Sequence, residues 1–309
     1  MGNRLQGRVA IVTGGGGGIG RGVAKWLARD GASVVVNDLG GAVDGSGGSG
    51  GPADAAVAEI VSEGGNAVPN YDSVAEFESA GRIIKAALDT YGRLDILCHL
   101  AGILRDRMVF NMTEEEWDSV IKVHLYGAFN LVRQAITPMM RQRYGRILLF
   151  SSSSALGNSG QSNYGAAKAG MFGLARSISG ELAPYGITVN AILPGGETRM
   201  TQAIPDTTAQ LRARAGITAN RAQTGSDIEN PRDPERNAPK SVYLCTEAAG
   251  NITGQIIDSS GLPMALYSPR HVTRVIHKSA PWTLDELDTL IPNSLTQGLV
   301  NPAPPPQPE

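Results

Sequence analysis

Along most of this chain, the spacing of hydrophobic and polar positions switches between two patterns. Short apolar runs rich in Val, Ile and Leu are each followed by a longer segment with the spacing of an amphipathic helix. Such runs are typical of strands buried on both faces of a parallel sheet, with helices as the connections. The predicted strands are residues 9–12, 33–37, 67–71, 94–100, 147–150, 187–193 and 255–258. The pattern predicts an α/β fold, a doubly wound (Rossmann-type) parallel sheet of about seven strands in a single domain.

The segments between these runs predict helices and two unusual connections. Helices are predicted over 21–29, 53–63, 75–90, 113–143, the segment that holds Tyr164, 239–246 and 283–291, with a capping box at Thr113. Residues 40–51, GGAVDGSGGSGG, offer almost nothing to pack, so we expect a flexible loop there rather than a domain boundary. Residues 196–236 are polar and broken by Pro and Gly, which predicts a substrate lid after the sixth strand.

These boundaries divide the chain into a catalytic domain, residues 1–262, and a C-terminal extension, residues 263–309, whose proline-rich end we expect to be disordered. The net charge of -2 favours neither nucleic acid nor an anionic membrane as a partner. The two cysteines form no disulfide framework, no run of about 18 apolar residues could span a membrane, and no metal site is predicted. We therefore expect a cytoplasmic protein.

The first strand leads directly into TGGGGGIG, residues 13–20, and then into a helix. Gly14, Gly18 and Gly20 would let the turn approach a pyrophosphate closely, with Ile19 among them, and the start of the helix that follows would offer it free N–H groups. Five consecutive glycines are also typical of a flexible linker. However, a linker would not normally lie between a buried strand and a helix, so the pattern predicts a dinucleotide-binding turn.

Two acidic residues follow the next two strands. Asp38 lies eighteen residues after Gly20, where a carboxylate accepts hydrogen bonds from the adenosine ribose and repels a 2′-phosphate. Asp38 therefore predicts NAD rather than NADP as the cofactor, the alternative being an exposed loop acid. Asp72 follows the third strand and would either accept from an adenine amino group or cap a turn.

A possible catalytic group lies in the stretch SSSSALGNSGQSNYGAAK, residues 151–168. Tyr164 and Lys168 are four residues apart in a predicted helix, so both side chains leave one face. A free tyrosine has a pKa of about 10, and a neighbouring ammonium would favour its phenolate, making Tyr164 an acid/base near neutrality. Ser151, thirteen residues earlier at the end of a strand, could hydrogen-bond the same substrate oxygen. The alternative is a chance pairing of one of eight tyrosines with a lysine.

Taken together, TGGGGGIG, Asp38, Ser151, Tyr164 and Lys168 occur with the order and spacing of the short-chain dehydrogenases/reductases, which the chain resembles over roughly residues 5–260. The resemblance implies that Tyr164 is the acid/base, that Lys168 tunes it and binds the nicotinamide ribose, and that Ser151 orients the substrate oxygen. It also implies that Ala101, Gly102, Pro194 and Gly195 line the cofactor, and that the subunits form a homo-oligomer, a dimer or a tetramer.

The segments GILRDR, VHLYGAF and GNSGQSNY resemble more closely the (3R)-hydroxyacyl-CoA dehydrogenase part of type 2 multifunctional β-oxidation enzymes. Two segments depart from the family. Most members carry Asn-Asn-Ala-Gly where this chain has His99, Leu100, Ala101 and Gly102, and the loss of an amide at Leu100 puts one polar contact in doubt. Most members also carry an Asn where this chain has His124, whose imidazole could hold a water in a proton relay or be a structural residue.

The resulting hypothesis is an NAD-dependent oxidoreductase that interconverts a secondary hydroxyl and a ketone, with a (3R)-hydroxyacyl-CoA as its small-molecule substrate. Arg199, Arg212, Arg214 and Arg221 could meet the CoA phosphates, or could form a solvated basic face. The alternatives are a 3-oxoacyl reductase that uses an acyl carrier protein, a hydroxysteroid dehydrogenase, and a nucleotide-sensing regulator without activity. The intact Ser151, Tyr164 and Lys168 argue against the last.

Overall fold

The computed structural model describes residues 2–202, 230, 232–268 and 271–299. Its centre is an eight-stranded sheet with the order β3-β2-β1-β4-β5-β6-β7-β8. The strands are β1 Val9–Thr13, β2 Ser33–Asn37, β3 Asn66–Asn70, β4 Ile96–His99, β5 Gly145–Phe150, β6 Ile187–Leu193, β7 Ile256–Asp258 and β8 Ala265–Leu266. The first seven are parallel, and β8 pairs antiparallel with β7. The predicted α/β doubly wound sheet is confirmed, with β8 as a strand that the apolar pattern did not indicate.

Strand order reverses at β1, which pairs with β2 on one side and β4 on the other. The register aligns Thr13 with Asn37 and with His99, so the last residues of three strands lie side by side. In an open α/β sheet, ligands bind outside the carboxyl ends of the strands at such a reversal. The register therefore locates the expected site between the ends of β1, β2 and β4.

Successive residues of the strands enter separate cores on the two faces of the sheet. Ala10 and Val12 belong to one buried cluster, whereas Val9 and Ile11 belong to the other. This is the alternation that strand geometry requires, and because both faces are covered, the strands have continuous apolar sequences.

Nine helices occur in the described part of the chain. They are α1 Gly18–Arg29, α2 Gly51–Ser62, α3 Phe77–Tyr91, α4 Glu114–Ile121, α5 Gly127–Gln142, α6 Ser162–Leu182, α7 Arg199–Gln202, α8 Ala238–Tyr243 and α9 Leu284–Leu290. Residues of α1, α2 and α8 pack into the first cluster, and those of α3, α5 and α6 into the second. None of the described helices is long and apolar enough to cross a membrane.

The long helix predicted over 113–143 is interrupted in the structure. Thr113 caps α4 with the predicted capping box to Glu116, but a π turn, Lys122–Tyr126, separates α4 from α5. Such turns are often found at functional sites, and a 3.6-residue apolar period does not reveal them. His124 lies at the centre of this turn.

Two predicted connections have different outcomes. The loop 40–51 does pack, contrary to expectation: Leu104 N donates to Val43 O at 2.9 Å and Arg105 Nε donates to Asp44 O at 2.6 Å. The loop's contacts use its backbone carbonyls, so its shortage of side chains does not prevent docking.

Most of the predicted lid, residues 203–229, lies outside the described residues, and so do residues 300–309 of the predicted disordered end.

Candidate active site

A cavity of about 550 Å³ opens at the carboxyl edge of the sheet, where the strand order reverses. Its lining includes every residue that the sequence singled out for the cofactor or for catalysis: Gly14, Gly18, Ile19, Gly20, Asp38, Asp72, Ala101, Gly102, His124, Ser151, Tyr164, Lys168, Pro194 and Gly195. Segments that are far apart in the chain therefore meet in one place.

The glycine turn forms one end of the cavity with its backbone. Gly14 and Gly18 have φ of +68° and +49°, and a Cβ on Gly20 would overlap the carbonyl of Gly14. Helix α1 begins at Gly18 with no side-chain cap and no acidic residue in its first turn. Because the turn consists of glycines, no Cβ blocks a ligand from the free N–H groups at the start of α1. Such N–H groups fit the diphosphate of a dinucleotide.

Asp38 lies beside the glycine turn at the end of β2. Its carboxylate accepts from Gly16 N at 2.9 Å and from Gly40 N at 2.7 Å. The side chain therefore ties the glycine turn to the loop 40–51, and its oxygens retain lone pairs for further donors such as ribose hydroxyls.

Asp72 lines the cavity, but its carboxylate is already occupied by neighbouring side chains. Arg82 Nε donates to Oδ1 at 2.6 Å, and Asn70 Nδ2 donates to Oδ2 at 3.0 Å. These bonds are those of a turn-stabilising residue, and, as for Asp38, the carboxylate oxygens retain lone pairs for a ligand donor such as an adenine amino group.

The loop 40–51 covers part of the cavity from β2 to the segment after β4. Val43, Asp44 and Gly45 line the cavity, and the position of a Cβ on Gly45 is 3.1 Å from Ile103 Cγ2. Together with the two backbone-carbonyl bonds from residues 104 and 105, this contact makes the loop a strap across the opening.

Within the described residues, no cluster of His, Cys, Asp or Glu is arranged to hold a metal ion.

Tyr164 and Lys168 lie on the cavity side of α6, one turn apart. The Lys168 ammonium nitrogen is 5.5 Å from the centre of the Tyr164 ring and donates to Phe150 O at 2.6 Å. Burial lowers the pKa of Lys168 to about 7. Burial also raises the pKa of Tyr164 to about 12, with a hydrogen bond from Ser152 acting in the opposite direction.

The raised pKa of Tyr164 corrects the expectation that Lys168 alone would lower it. Both groups lie in a desolvated pocket, which favours the uncharged form of each, so Tyr164 is a phenol at neutral pH while Lys168 is only partly protonated. A positive charge brought into the cavity by a ligand would add to that of Lys168 in favouring the phenolate. Until then Tyr164 is arranged as a proton donor.

Of the two serines at the end of β5, the structure places Ser152 beside Tyr164. The hydroxyl of Ser151 is buried and donates to Lys168 O at 2.7 Å, which anchors α6 to the sheet. The Ser152 side chain lies close enough to Tyr164 to lower the pKa of the phenol, against the effect of burial. Both serines line the cavity, so Ser151, which the thirteen-residue spacing indicates, stays a prediction and Ser152 is a second candidate.

The His124 ring is buried in contact with the Tyr164 ring, edge to face with centroids 5.1 Å apart. Its Nε2 lies 2.8 Å from Ile103 O and 3.1 Å from Ile103 N, while Nδ1 has no hydrogen-bond partner in the described part of the structure. Burial, reinforced by the charge of Lys168, lowers the pKa of His124 well below its ordinary value. His124 is therefore a neutral imidazole with one nitrogen free beside the tyrosine.

The remaining predicted cofactor residues hold the walls of the cavity. Gly102 leaves room for His124, because a Cβ there would overlap the ring. Ala101 N donates to Thr13 Oγ1 at 3.2 Å, and Gly195 N donates to Asn237 Oδ1 at 3.0 Å. Pro194, between the end of β6 and Gly195, also lines the cavity.

Comparison with known proteins is consistent with this site. The family of short chain dehydrogenases matches residues 8–209. A short-chain type dehydrogenase/reductase of Mycobacterium tuberculosis is 47% identical over 246 residues, 79% of each chain. Peroxisomal multifunctional enzyme type 2 of Mus musculus is 42% identical over 79% of this chain, which spans only 30% of that enzyme.

A solved structure agrees over the full length. The crystal structure of a short chain dehydrogenase from Mycobacterium avium superimposes with a TM-score of 0.80 at 37% identity, covering 100% of this chain and 99% of that one. With the glycine turn, the tyrosine and the lysine lining one cavity, the chain belongs to the short chain dehydrogenase family and is an oxidoreductase.

Proposed function

We propose that this chain is an NAD-dependent dehydrogenase that oxidises a (3R)-hydroxyacyl-CoA to the 3-oxoacyl-CoA. The observation that carries the proposal is the arrangement of the cavity, with the glycine turn and Asp38 at one end and Ser152, Tyr164 and Lys168 at the other. This arrangement supports a dinucleotide along the carboxyl edge with its reactive end beside Tyr164.

Each catalytic side chain has a role that its surroundings favour. When bound, the oxidised nicotinamide supplies the hydride acceptor and a positive charge. Tyr164 takes the proton of the substrate hydroxyl, and Ser152 donates a hydrogen bond to the same oxygen. Lys168, with a pKa of about 7, is partly protonated at neutrality, and its ammonium form favours the Tyr164 phenolate.

Asp38 supports NAD over NADP as the cofactor. Its two backbone contacts fix the carboxylate beside the glycine turn, where a ribose 2′-phosphate would meet a negative charge. This placement also argues against the main alternative, an NADPH-dependent reductase of carrier-bound 3-oxoacyl groups.

The CoA thioester is supported by likeness to the multifunctional enzyme over most of this chain and by basic residues at the cavity. Arg105, Lys122 and Arg199 belong to the lining, and Arg199 Nη2 is 3.9 Å from the position of a Cβ on Gly17. Arg199 therefore lies beside the glycine turn, and it supports a CoA contact less than Arg105 and Lys122 do. Arg212, Arg214 and Arg221 lie outside the described residues.

The acid/base role of Tyr164 predicts the effect of Tyr164→Phe. The change removes the transferable proton but little volume, so kcat should fall by about 10²-fold or more while NAD still binds. Steady-state kinetics and NAD titration would measure the two effects. Wild-type turnover in this variant would refute the proposed mechanism.

The two serines provide a matched pair of variants. Ser152→Ala should lower kcat by at least about tenfold, because it removes the hydroxyl that contacts Tyr164 and the substrate oxygen. Ser151→Ala removes a bond to the backbone of α6, so it should lower the thermal midpoint more than it lowers kcat. A larger loss of kcat from Ser151→Ala than from Ser152→Ala would instead indicate Ser151, the serine thirteen residues before Tyr164, as the one that contacts the substrate oxygen.

The cofactor preference should depend on the charge of Asp38. We expect kcat/KM for NAD to exceed that for NADP, and Asp38→Asn to narrow the ratio by about tenfold, equivalent to about 1.4 kcal/mol. The asparagine keeps an acceptor for one backbone amide, so the turn should persist. Equal use of both cofactors by the unmodified protein would contradict the role of Asp38.

The substrate class can be tested with one thioester and its free acid in both enantiomers. We expect kcat/KM for the (3R)-hydroxyacyl-CoA to be at least about ten times that for the free acid, because remote contacts with the CoA moiety contribute at the reacting carbon. Equal efficiency, or preference for the (3S) form, would indicate a hydroxysteroid or small-alcohol dehydrogenase.

A further inference from the structure

His99 is a fully buried imidazole whose two nitrogens join separate parts of the site. It ends β4, opposite Thr13 of β1. Its Nδ1 is 2.9 Å from Thr13 Oγ1, and its Nε2 is 3.1 Å from the main-chain oxygen of His124. The side chain thus links the strand that enters the glycine turn to the π turn beside Tyr164.

The surrounding bonds determine which nitrogen of His99 carries its proton. Burial lowers the pKa of His99 to about 3, so the ring is neutral and has a single N–H. The His124 carbonyl only accepts, which places that hydrogen on Nε2. Thr13 Oγ1 accepts from Leu100 N and Ala101 N, both at 3.2 Å, which leaves its own hydrogen for Nδ1 of His99. Every donor in this chain of bonds then has an acceptor.

The backbone that His99 holds is the backbone that carries the His124 side chain. In the π turn the His124 carbonyl accepts from the backbone N–H of Gly127 and also from His99, so His99 adds a bond from the sheet to this turn. The His124 ring is confined on its other sides by Gly102, by Ile103 and by the ring of Tyr164. Its free Nδ1 lies within the same buried pocket as Lys168.

We propose that His99 is a positioning residue: by donating from Nε2 to the His124 carbonyl, it holds the π turn so that the His124 ring, with its free Nδ1, keeps its edge-to-face contact with Tyr164. The inference rests on the proposed function and on the water-holding role that the sequence analysis offered for His124, through which His99 would affect turnover. His99 itself contacts neither substrate nor cofactor in this account. It links Thr13, at the base of the glycine turn, to the catalytic side chains.

Two amide variants separate the two bonds of His99. A glutamine places its N–H₂ close to where Nε2 lies, whereas an asparagine reaches only as far as Nδ1. His99→Gln should therefore retain kcat within about threefold, while His99→Asn should lower it about tenfold, since small misplacements of catalytic groups cost this much or more. The KM for NAD should remain unchanged in both, because the backbone bonds to Thr13 persist.

A double variant tests whether the effect passes through His124. In a His124→Asn background, His99→Asn should cause little further loss of kcat, because the side chain that His99 positions is gone. Equal kcat in His99→Gln and His99→Asn, or a full tenfold further loss in the double variant, would overturn the proposal and leave His99 a structural residue.

A measurement without turnover separates this proposal from the proposed function. The chain has only four histidines, so ¹H–¹⁵N correlation of the histidine-labelled protein can assign the tautomer of each ring. We expect His99 to be the neutral Nε2–H form from pH 6 to 8, and an Nδ1–H form would overturn the proposal. If Tyr164→Phe keeps its activity, the proposed function fails, whatever the tautomer of His99.

Discussion

The site depends on the parallel pairing of β1 with both β2 and β4. This register places Thr13, Asn37 and His99 in one row at the carboxyl edge of the sheet. A slip of one residue would turn the side chains of a strand toward the opposite face and separate the row. The glycine turn, the Asp38 contacts and the chain of bonds through His99 all begin from these strand ends, so the cavity has its shape because the sheet has this register.

Burial controls the chemistry of the polar groups in that cavity more than their mutual charges do. The pKa of Lys168 and of both histidines is lowered, and that of Tyr164 is raised, with desolvation as the largest cause in each case. At neutral pH the protein alone therefore holds uncharged rings at His99, His124 and Tyr164 beside a Lys168 that is only partly protonated. In such a desolvated pocket a charge delivered by a ligand acts strongly, because little water screens it. Ligand binding and proton transfer are thereby coupled.

The strap formed by the loop 40–51 shows how a segment with few side chains can still have a defined position. Its contacts use the carbonyls of Val43 and Asp44 and the close approach of Gly45 to Ile103. Gly45 has φ of +88°, a conformation that other residues rarely adopt. Because Ile103 also contacts His124, the strap and His124 share a neighbour.

The sequence by itself determined the features that depend on local pattern: the buried parallel strands, the glycine turn, Asp38 at the end of β2 and the pairing of Tyr164 with Lys168. Strand and helix periods, and a spacing of four residues, are properties of short stretches that need no knowledge of neighbours. The tertiary structure alone showed that Ser151 bonds the backbone of α6 and that Ser152 lies near Tyr164, with both serines lining the cavity. Counting residues along a loop cannot show these contacts. The tertiary structure also decided the π turn at His124, the two bonds of His99 and the raised pKa of Tyr164, because each of these arises from segments that meet only when the sheet has formed.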